Sequence, residues 1–276
     1  MIELKSKIKK ALELLEKFEK WRHKFVFFSG GKDSLVALDL ASKVWKDFTI
    51  VYAEVTGNTH PKCTKYAYKI ADEYNADFVH VKAERYEFFE RLEKWGYPPI
   101  LDGYTIRWCM NHFKCIPIAM YTKGRGVGVS GIKPSDSNRR FRILSDKYPP
   151  IIVDPAPRSR RWSYYSLKPL YWFNKADIWQ YIALNNLEVN PLYKEIGFSG
   201  NCMICPAMNK DKFIAVMEKC PEFFYKWKRV HEKLRASFEA GKPIGMRKVF
   251  YDFDKWYVLY CQNKRLVEYA EALRNS

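Results

Sequence analysis

Residues 25–37, with the sequence FVFFSGGKDSLVA, determine the predicted fold. Lys24–Phe28 is an apolar run typical of a buried strand, and it ends abruptly in the turn SGGKDS (residues 29–34). A helical apolar pattern follows over 35–45. Glycines let backbone N–H groups approach an anion closely, and the N-terminus of the next helix directs its positive end to the same point. The stretch therefore predicts a phosphate-binding turn, different from the G-x-x-x-x-G-K-[ST] loop.

The side chains of this turn suit a magnesium–polyphosphate ligand. Lys32 adds positive charge, and the Ser29 and Ser34 hydroxyls can donate hydrogen bonds. Asp33 is a carboxylate beside a phosphate, which makes chemical sense if it binds Mg²⁺ or orients the shell of that ion. The residues predicted to bind the phosphates are Ser29, Gly30, Gly31, Lys32, Asp33 and Ser34.

Strands and helices alternate beyond the turn. Further strands are predicted at 48–55, 77–83 and 126–132, and helices at 61–74, 86–95 and 108–122, the last kinked or split at Pro117. This alternation predicts an α/β fold with a doubly wound parallel sheet. Ligands of such sheets bind at the carboxyl ends of the strands. Two dipeptides that follow strands are therefore expected to form the nucleoside side of the crevice: Thr56-Gly57 and Ser130-Gly131.

The chain is expected to divide into three parts. Residues 1–23 form an amphipathic helix with an apolar stripe at Ile8, Leu12, Leu15 and Phe18, unlike a signal peptide. Residues 24–190 form the nucleotide-binding α/β domain, within which 139–170 is expected to be a long loop or partner-binding segment. A capping box at Asn174 starts a helix over 175–185. Residues 191–276 are predicted to be a helical extension that bears cysteines.

The charge of the chain favours an anionic partner. The 276 residues carry 48 Lys and Arg against 31 Asp and Glu, a net charge of +17. Arginines and aromatic residues meet at 139–142 (RRFR) and 158–165 (RSRRWSYY), which suits single-stranded nucleic acid, tRNA or DNA. A lysine-rich solvated surface is the alternative. We expect a cytoplasmic protein without a membrane span, and the two glutamines weakly favour a thermophile.

Seven cysteines without a secretory signal favour metal binding or catalysis over disulfides. Cys202 and Cys205 form a C-x-x-C flanked by glycine, a spacing at which two thiolates can bind one metal centre. Cys109 and Cys115 would differ by about 240° on a regular helix, which disfavours joint ligation. We expect Cys63 and Cys261 to be packing residues. His60 has two alternatives, a nucleotide contact or a helix start.

SGGKDS matches the signature of the PP-loop ATP pyrophosphatases, which the chain resembles over residues 24–225. The branch it is most similar to contains phosphoadenosine phosphosulfate (PAPS) reductases, small subunits of ATP sulfurylase and DNA phosphorothioation proteins. The motifs that carry this resemblance are Val55-Thr56-Gly57, Arg107-Trp108-Cys109 with Lys114, Gly131-Ile132-Lys133 with Asp136-Ser137 and Arg140, Lys168-Pro169-Leu170 before Trp172, Asn190-Pro191-Leu192-Tyr193, and Gly200-Asn201-Cys202-Met203-Ile204-Cys205-Pro206.

The resemblance implies that ATP is cleaved between its α- and β-phosphates to adenylate a substrate. Lys32, Asp33 and Cys109 are then the catalytic candidates. Lys133, Asp136 and Arg140 would face the second substrate or the departing phosphate, although the family usually has Arg at position 133. Sulfur delivery at the cysteines would give thiolation of tRNA or DNA, with a sulfur donor or reductant protein as a partner and a homodimer as one option.

The family places a cysteine at position 109, which makes Cys109 the best third ligand beside Cys202 and Cys205, with Cys115 or Cys220 as the fourth. A [4Fe–4S] cluster, a zinc ion and metal-free redox thiols are the three alternatives. The main functional alternative is a PAPS or APS reductase that forms sulfite. Reductases that only bind a nucleotide tend to lose the Lys and Asp of the turn, which this chain keeps. A nucleic-acid-binding subunit of a modification system is the third possibility.

Overall fold

A six-stranded sheet carries the phosphate turn at its centre. The computed structural model describes residues 2–98, 107–136, 151–155, 163–205 and 208–241. The strands are β1 (Lys24–Phe28), β2 (Thr49–Ala53), β3 (Asp77–Val81), β4 (Val127–Ser130), β5 (Ile151–Pro155) and β6 (Ser163–Leu167). Their order is β3-β2-β1-β4-β6-β5, and every neighbouring pair is parallel except β5 and β6. The predicted doubly wound α/β fold is confirmed.

The order of the strands reverses between β1 and β4. In open α/β sheets the ligand crevice lies outside the carboxyl ends of the strands at such a switch point. Here the turn at 29–34 follows β1, and Ser130-Gly131 ends β4. The topology therefore brings two of the predicted phosphate and nucleoside segments to one crevice.

Helices connect and cover the strands in the described part of the chain. They are α1 (Ile2–Glu16), α2 (Lys32–Ser42), α3 (Pro61–Glu73), α4 (Phe88–Trp95), α5 (Trp108–Met110), α6 (Ile116–Thr122), α7 (Lys175–Leu184), α8 (Leu192–Glu195), α9 (Lys210–Lys219) and α10 (Pro221–Glu239). None of these helices is long and apolar enough to cross a bilayer.

The prediction of a long loop over 139–170 was wrong where β5 and β6 lie. Val127 of β4 pairs with Tyr165 of β6, and Val129 pairs with Leu167. The strand residues SYYSL include two serines and stand beside arginines and prolines, so they carry no clear two-residue alternation. Pairing with β4, which is distant in sequence, supplies what the local pattern lacks. The RRFR stretch, Arg140 and Cys261 lie outside the described residues.

The helix over 108–122 is irregular before its proline. A π turn occupies Asn111–Cys115 between α5 and α6. Pro117 is the second residue of α6 and follows the π turn directly, with helical backbone on both sides of the junction. A proline lacks the N–H that a regular helix would use at this position, which agrees with the predicted irregularity. The angular offset between Cys109 and Cys115 that regular helical geometry predicts therefore does not apply, because the π turn lies between them. Such turns often occur at functional sites.

The N-terminal helix packs on the domain through its predicted apolar stripe. Leu15 and Phe18 are buried, and Ile8 and Leu12 are partly buried against the core. Lys7 Nζ pairs with Asp177 at 2.9 Å and so links α1 to α7. Asp177 also completes the predicted capping box with Asn174, which is confirmed.

Candidate functional site

The phosphate turn is closed by its own serines. Gly30 has φ +70°, a conformation that favours glycine. The Ser29 N–H donates to Ser34 Oγ at 3.2 Å, and Ser34 Oγ donates to the Gly31 carbonyl at 2.8 Å. Gly31 caps α2 without a side-chain hydrogen bond, so the cap residue satisfies none of the N–H groups in the first turn of that helix. This is the geometry of an anion site.

Four charged side chains form a cluster beside the turn. Asp33 accepts from Lys32 Nζ and from Lys133 Nζ, each at 2.6 Å. Lys133 is only 2% exposed and also pairs with Asp136. The structure thus brings together Lys32, Asp33, Lys133 and Asp136. Removing one partner from such a cluster would leave a buried charge uncompensated.

Gly131 fits tightly against the turn. A Cβ at this position would lie 2.6 Å from the Asp33 carbonyl carbon and 2.7 Å from the Ser34 nitrogen. The segment after β4 therefore touches the start of α2, as the topology requires. Lys168, which was not among the predicted site residues, donates to Ser130 Oγ at 2.9 Å. Lys168 belongs to the motif Lys168-Pro169-Leu170, but no local pattern predicts that its ammonium group bonds to Ser130.

The segment after β2 carries an unsatisfied polar atom. Thr56 Oγ1 is buried and has no hydrogen-bond partner among the described residues. Gly57 has φ +79°, and a Cβ there would lie 3.0 Å from the Glu87 carboxylate. A ligand hydroxyl or ring nitrogen would satisfy Thr56, which agrees with the predicted nucleoside role. That role stays a prediction.

Asn58 fixes the C-x-x-C turn to the same segment. Its side chain is fully buried, and its Nδ2 donates to the Ile204 carbonyl at 2.8 Å. Its Oδ1 accepts the Ile204 N–H at 2.9 Å, and its own carbonyl accepts the Met203 N–H at 2.8 Å. The turn at 202–205 is thus hydrogen-bonded to Asn58, which lies two residues after Thr56. Asn58 is another residue that sequence reasoning missed.

Cys109, Cys202 and Cys205 influence one another electrostatically. Burial, and then the charge of Cys205, raise the pKa of the Cys109 thiol to about 11. The hydrogen bond with Cys205, burial and the nearby Cys109 raise the pKa of Cys202 well above its usual value. Cys202 and Cys205 are hydrogen-bonded, and Cys109 and Lys114 of the π turn are near enough for their charges to affect the pKa values. Among the described residues, however, the sulfurs of Cys109, Cys202 and Cys205 do not form a ligand set whose atoms all lie within 4.8 Å of one another.

Cys220 lies among different groups. Its sulfur forms a set with His60 and Glu222 whose ligand atoms lie within 4.8 Å of one another. His60 caps α3, and its Nδ1 accepts the Lys62 N–H at 3.1 Å. The neutral imidazole consequently carries its proton on Nε2, and a metal could bind there only if that proton left. The helix-start alternative for His60 is thus confirmed. Cys63 is buried, as expected of a packing residue.

The segment that follows α7 forms hydrogen bonds to the backbone of the phosphate turn. Asn190 Nδ2 donates to the Gly30 carbonyl at 3.1 Å and to the Ser199 carbonyl at 2.9 Å. The Tyr193 hydroxyl accepts the Lys32 N–H at 3.1 Å. Both residues belong to the NPLY motif at 190–193, whose contact with the turn was not foreseen because 161 positions separate Lys32 from Tyr193.

A family model described as the phosphoadenosine phosphosulfate reductase domain matches residues 23–208. An uncharacterized protein of Methanocaldococcus jannaschii is 30% identical over 227 residues, covering 79% of this chain and 51% of that protein. Adenosine 5'-phosphosulfate reductase 1 of Bacillus subtilis is 25% identical over 181 residues, covering 64% of this chain and 70% of the reductase. The chain spans about half the length of the M. jannaschii relatives it matches.

Solved structures that are similar to this chain include a reductase and a synthetase. The PAPS reductase of Candida auris has a TM-score of 0.48 and 18% identity, and covers 69% of this chain and 89% of its own. The NH3-dependent NAD synthetase of Campylobacter jejuni has a TM-score of 0.46 and 12% identity, and covers 88% of this chain and 98% of its own.

Proposed function

Since the chain belongs to the phosphoadenosine phosphosulfate reductase domain family, we propose that it is an ATP pyrophosphatase of that family. It would adenylate an acceptor, release pyrophosphate, and then release AMP as sulfur replaces the activated oxygen. The observation that carries the proposal is Asp33, a carboxylate kept beside the anion site between Lys32 and Lys133. A site that binds a sulfonucleotide without cleaving ATP has no need of that carboxylate.

The carboxylates of the cluster suit Mg²⁺. Asp33 and Asp136 lie on either side of the Lys133 ammonium group, so their oxygens already face one cation. Carboxylate oxygens are the ligands that Mg²⁺ prefers, together with phosphate oxygens. These two residues would hold the ion, which would neutralise charge that develops on the pyrophosphate.

The protein's own groups would bind and orient ATP. N–H groups of the turn would bind its phosphates, and the Lys32 and Lys133 ammonium groups would stabilise the departing pyrophosphate. Thr56 would receive a hydrogen bond from the nucleoside. Lys168, beside Ser130, would face the acceptor oxygen or the α-phosphate.

We propose that Cys109, Cys202 and Cys205 bind a [4Fe–4S] cluster, with zinc as the alternative. Burial and then the charge of Cys205 raise the pKa of Cys109, and the hydrogen bond with Cys205, burial and the nearby cysteines raise the pKa of Cys202, so ionised neighbours oppose one another. A bound cationic centre would remove that repulsion, since metal ligation requires thiolates. Iron, sulfide and zinc analysis of anaerobically purified protein separates the cluster, zinc and metal-free cases.

The fourth ligand is tested by comparing Cys115→Ser with Cys220→Ser. The variant that lowers the metal content identifies it. If neither does, the fourth position is open to a sulfur species or another ligand. The Cys220 sulfur lies in a set with His60 and Glu222, and its pKa is raised by burial and then by Glu222 and Glu195, so we expect Cys220→Ser to retain the metal.

A nucleic-acid acceptor, tRNA or DNA, is part of the proposal, as is a cytoplasmic location. Its support is the net charge of +17. Bound nucleic acid should dissociate steeply with added salt, because each phosphate contact releases counterions. Purified protein that carries no nucleic acid and binds none at low salt would indicate a small acceptor instead.

The deciding experiment is incubation with ATP and Mg²⁺. We expect pyrophosphate release that Asp33→Ala abolishes, whereas Asp72→Ala, at an exposed carboxylate of α3, retains it. Absence of pyrophosphate release, with sulfite formed from PAPS and a dithiol, would refute the proposal in favour of a reductase.

A further inference from the structure

The Lys32 N–H is satisfied by a residue from outside the phosphate turn. Lys32 is the first residue of α2, where backbone N–H groups lack helical acceptors. Gly31 provides no side-chain cap, and the Tyr193 hydroxyl accepts this N–H at 3.1 Å. A neutral hydroxyl oxygen thus lies at the N-terminus of α2, beside the turn that the proposed function assigns to the phosphates.

Hydrogen bonds and a ring contact support the Tyr193 side chain at this position. Asn190 lies three residues before Tyr193 and organises the backbone between them. The Asn190 side-chain oxygen accepts the Leu192 N–H at 3.0 Å, and the Asn190 carbonyl accepts the Tyr193 N–H at 3.0 Å. Asn190 also donates to the Gly30 carbonyl, so the turn and the tyrosine share one support. The Trp179 and Tyr193 rings pack edge to face, with their centroids 5.7 Å apart. A hydroxyl fixed in this way can recognise a ligand at little entropic cost.

Accepting the Lys32 N–H uses a lone pair of the tyrosine oxygen and leaves its proton available for donation. We propose that Tyr193 is a substrate-binding residue of the phosphate site, donating its hydroxyl proton to the pyrophosphate moiety of ATP while it accepts the Lys32 N–H. The proposal rests on the proposed function, since it assumes that this turn binds pyrophosphate. Burial raises the pKa of Tyr193 to about 12, so the phenol stays protonated at neutral pH.

Binding measurements can distinguish a Tyr193 that donates to phosphate from a Tyr193 that only blocks the Lys32 N–H. If Tyr193 only blocked the Lys32 N–H, removing its hydroxyl would free that N–H and tighten pyrophosphate binding. If it donates to phosphate, removal must weaken binding. A hydrogen bond to a charged group changes affinity by about tenfold or more.

The test is calorimetric titration of magnesium pyrophosphate, and separately of adenosine, into wild-type, Tyr193→Phe and Tyr66→Phe proteins. Tyr66 is the matched control, because its buried hydroxyl donates at 2.7 Å to the Glu188 carbonyl, just before the same segment. We expect Tyr193→Phe to weaken pyrophosphate binding at least tenfold and to leave adenosine binding unchanged, and Tyr66→Phe to leave both within twofold.

Unchanged or tighter pyrophosphate binding by Tyr193→Phe would overturn the proposal. Equal losses for pyrophosphate and adenosine would also overturn it, because they would indicate a collapsed crevice. Urea unfolding of both variants identifies such a structural loss. A wild-type protein that binds no pyrophosphate would refute the proposed function itself, which is a separate result from failure of Tyr193 alone.

Discussion

Gly131→Ala should damage the phosphate site through a single added carbon. The backbone of Gly131 lies outside the left-handed region, so alanine introduces no conformational strain there. The new Cβ would lie 2.6 Å from the Asp33 carbonyl carbon and 2.7 Å from its oxygen, where real Cβ contacts stay beyond 3.0 Å. The start of α2 must therefore move by about 0.4 Å or more. Overpacking of this kind costs about 1–3 kcal/mol of unfolding free energy.

The shift should reduce catalysis as well as stability. A displacement of 1 Å can lower a rate about a hundredfold, so we expect pyrophosphate release to fall by roughly tenfold. Gly197→Ala is the control, because Gly197 has φ +81° and nothing within 4 Å of its added Cβ. It should cost about 1–2 kcal/mol through its backbone and leave ATP turnover intact.

The assays are urea unfolding and pyrophosphate release with Mg²⁺ and ATP, on both variants beside the wild type. The reasoning is refuted if Gly131→Ala is as stable and as active as the wild type. It is also refuted if Gly197→Ala loses turnover to the same degree, because general destabilisation would then explain both results.

Three further predictions concern the supports of the site. Asn58→Ala removes both hydrogen bonds to Ile204 and should lower the free energy of unfolding by about 2 kcal/mol. It should also lower the metal content, measured by iron or zinc analysis, whereas the control Asn209→Ala, which removes the cap of α9, should not. Asn174→Ala removes the cap of α7 and should cost about 1 kcal/mol in urea unfolding, without change in pyrophosphate release. Burial and Arg235 lower the pKa of His231 to about 4. Because the unfolded state takes up the proton first, stability should fall by at most about 3 kcal/mol as the pH drops from 6.5 to 4, and unfolding of His231→Gln should show a flatter pH dependence.

The parallel core of the fold was predictable because its signals are local. The apolar run at Lys24–Phe28 gives β1 with the predicted ends, and the turn after it gives α2, whose two ends lie three residues earlier than the predicted 35–45. The capping box at Asn174 likewise marks the start of α7 within four residues of sequence. The strand Ser163–Leu167 gave no such signal, since its stability comes from pairing with β4 more than thirty residues earlier.

The residues of the candidate site also differ in how far the sequence predicts them. Lys32 and Asp33 were identified because the turn itself contains them, whereas Asn58, Lys168 and Tyr193 act through contacts with distant segments. A motif shows that such residues belong together, but only the fold shows which atom each of them meets. The Lys32 N–H that Tyr193 engages is a backbone group, which no pattern of side chains could reveal.

The phosphate turn and the cysteine turn are supported by one short segment of the chain. Asn190 and Tyr193 bind the phosphate turn, and Cys202 follows nine residues after Tyr193. Between them, the Gly200 carbonyl accepts the His60 N–H at 2.8 Å, which links this segment to the nucleoside side of the crevice. Under the proposed function, sulfur bonds to the acceptor atom that bears the adenylated oxygen, and that oxygen leaves with AMP, so the sulfur and the nucleotide must be placed relative to one another. A nucleotide-binding subunit would not need that coupling, so the shared segment is what we expect if the proposed function is right and both turns act on one substrate.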